Sequence, residues 1–190
     1  MNTRLPVEPK ARCSPSVEAL PPSIAVTGDD IPGLHSLRTS PAAVDLNDAG
    51  AAEDVRVVAI GVDLADVRSR REIRRAFRRH SDDCVSLCNV LPRLAHLVFV
   101  TGGATGAVEG RVQAVGREAS RRTHALLEQA CGAYVAVTVV VADSCDDPAL
   151  LAVRIGQRTR RSPRLDVSVA LTWSELSQDP LGLASTNDLL

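Results

Sequence analysis

The chain has 190 residues, a formal net charge of −1, 45% apolar residues and only 2% aromatic ones. Its core must therefore be built from Val, Leu, Ala and Ile, and valine-rich short runs favour a buried sheet. Near neutrality excludes a global basic field for nucleic acid or an anionic membrane. Lys10 as the sole lysine excludes lysine-based chemistry from the folded part.

Five scattered cysteines (Cys13, Cys84, Cys88, Cys131, Cys145) form no secreted-scaffold pattern. No apolar run approaches the roughly 20 residues that span a bilayer. No apolar signal region follows the first charges. The expectation is a cytoplasmic protein with reduced thiols and no membrane contact.

Residues 1–54 carry seven of the eleven prolines. They are expected to be a disordered Pro-rich segment, with Ser23–Val26 at most a brief extended piece. Val55–Leu64 is the first strand, apolar on both faces as a central strand requires. Asp63 near its end is the one acid there that could face a ligand. A helix follows, with Val67, Ile73 and Phe77 on its buried side. It carries seven arginines: Arg68, Arg70, Arg71, Arg74, Arg75, Arg78 and Arg79.

Ser81–Asp83 is expected to end that helix, and Cys84–Leu91 reads as a second strand closed by Pro92. His96–Thr101 is a third strand, in a hairpin with the second. The next helix stripes Val108, Val112, Val115, Ala119, Thr123, Leu126, Leu127 and Ala130 at steps of three and four, and Gly132 stops it. Tyr134–Ala142 is the most apolar strand. A third helix has Asp146 or Asp147 as cap, Pro148 in its first turn and Pro163 beyond its end. Residues 165–173 alternate as a strand with one exposed face, and residues 174–190 read as a flexible tail.

The predicted order is β-α-β-β-α-β-α-β over residues 55–173. That is an α/β sandwich of the ferredoxin-like, split βαβ kind, with helices packed on the sheet. Strands apolar on both faces then require a cover for the second face, such as another subunit.

Thr101-Gly-Gly-Ala-Thr-Gly106 lies between a strand and a helix, where backbone N–H groups can hold a phosphate. Thr101, Gly102, Gly103 and Gly106 are the candidate cofactor-binding residues. The turn resembles the TGxxxGxG turn of short-chain dehydrogenases at Thr101, Gly102 and Gly106. It departs where Val108 replaces the last glycine, and that family's Tyr-x-x-x-Lys pair is missing. A plain strand–helix connection is the favoured reading.

His80, Cys84, Cys88 and His96 do not make a metal site. On a strand, Cys84 and Cys88 would lie about 13 Å apart, too far for one zinc; they read as core residues. No catalytic set emerges, and no cofactor is expected. Arg68, Arg71, Arg75 and Arg78 are the candidate partner-binding residues. Without interleaved aromatics they favour a protein partner or another copy of the chain over RNA.

Residues Val137–Arg161 follow a strand–helix pattern, and with the hairpin at Cys84–Val100 this resembles GGDEF domains and the related GGDEF-like domains of bacterial regulators. The loop Asn89–Arg93 lacks the GGDEF signature, and Gly61 replaces one metal-binding acid, leaving Asp63. The resemblance implies a degenerate domain without two-metal chemistry. The expected function is a non-catalytic, self-associating regulatory or protein-interaction module. The alternative is a nucleotide- or dinucleotide-binding enzyme or sensor that uses Thr101–Gly106.

Overall fold

Strands that are apolar at every position need cover on both sides, and the chain supplies it. The computed structural model describes residues 24–46, 52–104, 109–157, 162–165 and 168–178. Six strands form one sheet: β1 (Ile24–Gly28), β2 (Ala43–Val44), β3 (Val57–Asp63), β4 (His96–Gly102), β5 (Ala136–Val141) and β6 (Val169–Thr172). Their order is β2-β1-β3-β4-β5-β6, and every pairing is parallel.

Two long helices, α2 (Arg70–Val90) and α3 (Glu109–Cys131), cover one face. There Ile73, Phe77, Val112, Val115 and Leu127 meet Val58, Ile60, Phe99, Val137 and Val139. Phe77 meets Phe99 edge to face, with ring centroids 5.8 Å apart. Three short helices cover the other face: α1 (His35–Arg38), α4 (Pro148–Gly156) and α5 (Trp173–Gln178). Leu37, Leu151, Ile155 and Leu176 pack there on Val57, Ala59, Val98, Val100 and Val140. The second face therefore needs no partner to bury it. The chain's own short helices do so.

This α/β architecture differs from the ferredoxin-like expectation in its sheet. The expected strand over Cys84–Leu91 does not form, because α2 continues to Val90. Ser81 does not stop it: the residue is buried mid-helix, its hydroxyl bonded to the Phe77 carbonyl oxygen and to Thr123 Oγ1. Ile73, Phe77, His80, Ser81 and Cys84 keep helical spacing along one buried stripe. Leu91, which precedes Pro92, ends it, as proline disfavours helix in its predecessor. Without that strand there is no hairpin, and β4 pairs in parallel with β3.

The start of the chain also differs from expectation. Within the segment expected to be disordered, β1 inserts beside β3 with Ile24 and Ala25 buried, and Ile31, Leu34 and Leu37 join the core. Pro32 opens a 3-10 turn, where a missing N–H costs nothing. Trp173–Gln178, read as strand end and tail, forms α5. Residues 1–23 and 179–190, also expected to be disordered or flexible, lie outside the described residues.

Several helix ends fall on sequence-encoded signals. Ser69 and Glu72 form a reciprocal capping box at the start of α2. Gly132, at φ +64°, follows the end of α3. Asp147 caps α4 by accepting from the Leu150 amide at 2.9 Å.

Candidate functional site

In an all-parallel sheet every strand points its carboxyl end to the same edge, and ligands of such folds gather where the connections diverge. The connection after β1 turns towards β2 over the face of the short helices. The connection after β3 runs the other way, over the face of α2. The divergence point is thus between β1 and β3, and Asp29 and Asp63 stand there.

The chain closes this point with its own groups. A Cβ on Gly61 would lie 2.1 Å from the Asp29 carbonyl oxygen, so the loop after β1 can cross β3 only over a glycine. The Asp29 amide donates to the Gly61 carbonyl oxygen at 2.9 Å. The Asp29 carboxylate accepts from the Asp63 amide at 2.9 Å, from Arg79 at 2.7 Å and meets His80 Nε2 at 3.1 Å. Burial works against ionisation of Asp29, but the Asp63 amide, His80 and Arg79 outweigh it and hold the carboxyl below its ordinary value.

The glycine turn after β4 is engaged in the same way. Thr101 is buried and donates its hydroxyl to Asp143 Oδ2 at 3.0 Å, and the Ala104 amide donates to Asp143 Oδ1. Gly103 takes φ +85°, and a Cβ there would come within 2.9 Å of the Ala65 amide nitrogen and Asp63 Oδ1. Gly102 lies against the buried Ile31. Burial first, and the charge of Asp63 in addition, raises the Asp143 carboxyl above its ordinary value despite hydrogen bonds from the Ala104 amide, Thr101 and its own amide. An anion brought to this turn would compete with one carboxylate for its donors and face a second. Of the four predicted cofactor residues, Thr101, Gly102 and Gly103 lie together here, and Gly106 is outside the described residues.

The arginines of α2 make a different surface. Arg71, Arg74, Arg75 and Arg78 line one hollow of about 300 Å³. Arg74 and Arg78 share a neighbouring groove with Arg122 of α3 and Glu118. Glu118 pairs with Arg74 at 2.9 Å and more distantly with Arg70 at 3.8 Å. Arg79 is spent on Asp29. Arg71, Arg75 and Arg78 are exposed and form no ion pair among the described residues. Arg68 lies before the cap, outside this hollow, and its amide donates to Glu72.

Three of the four predicted partner residues therefore converge, and Arg74 and Arg122 join them. Arg122 could not be placed from sequence, because it sits 44 residues beyond Arg78 and only helix packing brings it near. Asp29, His80 and Asp143 were likewise hidden in separate segments. Cys84 and Cys88 lie one turn apart on α2, and no group of three metal-ligating side chains occurs among the described residues. No helix among them is long and apolar enough to cross a membrane. No family model, curated protein or solved structure matches this chain.

Proposed function

We propose that this protein is a non-catalytic interaction module that holds an acidic segment of a partner protein on the arginine-lined face of α2 and α3. The observation that carries this reading is the hollow of Arg71, Arg74, Arg75 and Arg78, of which Arg74 alone is held in an ion pair, with Glu118, among the described residues. Guanidinium groups offer carboxylates planar, forked donors, and several in one hollow raise the local concentration of an acidic chain. Phe77, the aromatic ring beneath this face, is buried, so base stacking has no platform there and RNA is the weaker fit.

The nucleotide alternative on Thr101–Gly106 has less support, because Asp143 already takes the Thr101 hydroxyl and the Ala104 amide. The likeness to GGDEF-like domains lends this reading no support, since Cys84–Val90, where it places a hairpin strand, is helical.

The test is a titration of fluorescent decaglutamate by anisotropy, with the Arg71→Glu, Arg75→Glu, Arg78→Glu triple variant alongside. The unsubstituted protein should bind with an affinity that falls as salt rises, and the variant at least about tenfold more weakly. Equal binding by the variant removes the reading. So does a concentration-dependent rise in thermal stability with GTP, cyclic di-GMP or NADPH, which would favour the nucleotide alternative.

A further inference from the structure

The sequence reads Cys84 and Cys88 as small core residues, and Cys84 is one. It is fully buried, and its thiol bonds the His80 carbonyl oxygen at 3.1 Å. Burial above all, with the charge of Asp83 adding, pushes that thiol up to about 12, where it is chemically silent. Cys145 belongs to the opposite face of the sheet.

Cys88 and Cys131 are placed differently. Cys88 lies near the end of α2 and Cys131 is the last residue of α3, so the two helices bring their final turns together at these side chains. The Cys131 thiol neighbours that of Cys88. Cys131 Sγ also lies 4.0 Å from the Val85 carbonyl oxygen, on the same stretch of α2. Both side chains are half-buried against the same core cluster, and neither is sealed from small molecules. Both are free thiols.

We propose that Cys88 and Cys131 are a reversible dithiol–disulfide pair that locks the ends of α2 and α3 together. The oxidant class is a small-molecule disulfide. One cysteine thiolate attacks a sulfur of oxidised glutathione, giving a mixed disulfide and releasing one glutathione thiolate. The second cysteine, losing its proton, attacks the protein sulfur of that mixed disulfide and expels the other glutathione. Two cysteine thiols are oxidised to one disulfide, and one glutathione disulfide is reduced to two thiols.

Burial, with the neighbouring Cys131 thiol adding to it, pushes the Cys88 thiol up to about 11, so little of it is thiolate at neutral pH. Bridge formation is therefore slow at pH 7 and accelerates up to pH 9. The link joins residues far apart in the chain and constrains the unfolded state. This inference does not depend on the arginine surface.

The test uses the full chain, fully reduced, then held with oxidised glutathione at pH 8.5 and digested without reductant. A peptide pair joined through Cys88 and Cys131, cleaved by dithiothreitol, is the expected product. Its formation should raise Tm by several degrees. Cys88→Ser and Cys131→Ser should each abolish the rise and leave the remaining cysteine with one glutathione, whereas Cys84→Ala should bridge normally. Glutathione on both cysteines without a bridge overturns the inference, as does a Cys84–Cys131 link in the unsubstituted chain.

Discussion

The backbone amide of Asp63 donates to the carboxylate of Asp29 across 2.9 Å, tying the loop after β1 to the end of β3. Arg79 and His80 complete the shell of that carboxylate from α2. Asp29→Asn keeps one acceptor but removes the charge that Arg79 and His80 face, and should cost about 1–3 kcal/mol at pH 7. Because the folded carboxyl sits below its ordinary 3.8, its stabilisation is full above that value and is lost as pH falls through the folded one. Urea unfolding at pH 7 and at pH 3 should show the gap between parent and variant narrowing at the lower pH.

Asp143 has the opposite sign. Its carboxyl titrates above 3.8, so its favourable contribution is complete below that value and is lost as pH rises through the folded one. Asp143→Asn can still accept from Ala104 and donate to Thr101, without a charge beside Asp63. It should match or exceed the parent at pH 7, by up to about 1 kcal/mol, while Asp143→Ala should lose about 1–3 kcal/mol. Denaturation curves of the two variants at one pH separate the effects.

Gly61→Ala forces a methyl group against backbone, with the Asp29 carbonyl oxygen 2.1 Å away. No rotamer relieves that contact, so the loop after β1 must lift. The expected loss is about 3 kcal/mol or more. A chemical-denaturation midpoint close to the parent's would mean that the loop yields freely.

Ser81 and Thr123 join their hydroxyls at 2.8 Å between α2 and α3, both buried. A double-mutant cycle with Ser81→Ala and Thr123→Val should give a coupling of about 0.5–1.5 kcal/mol. Ser81→Ala strands the buried Thr123 hydroxyl, whereas in Thr123→Val the Ser81 hydroxyl keeps only its bond to the Phe77 carbonyl oxygen. The double variant strands neither, and should be less destabilised than the sum.

The central sheet could be read in advance because β3, β4 and β5 are valine-rich and mostly apolar on both faces, which suits a doubly covered strand. The Gly132 stop was equally plain, and the cap of α4 was narrowed to Asp146 or Asp147, of which Asp147 serves. Cys84–Leu91 was not, since C-V-S-L-C-N-V-L satisfies a two-residue and a helical period alike. Only the burial of Ser81 against Thr123, a tertiary contact, decides it. The prolines around β1 read as disorder, yet Pro32 and Pro41 flank a short helical excursion and leave Ile24–Gly28 free to pair. At the carboxyl edge, Thr101 and Asp63 could be noticed singly. Their partners Asp143 and Asp29 lie 42 and 34 residues away in the chain, beyond any local pattern.

The most direct measurement is an amide nitrogen–proton correlation spectrum of the labelled protein, recorded as decaglutamate is added. The account predicts shifts confined to amides of residues 70–79 of α2 and 117–122 of α3, with Thr101–Ala104 unmoved. Shifts centred on Thr101–Ala104, with α2 silent, would contradict it.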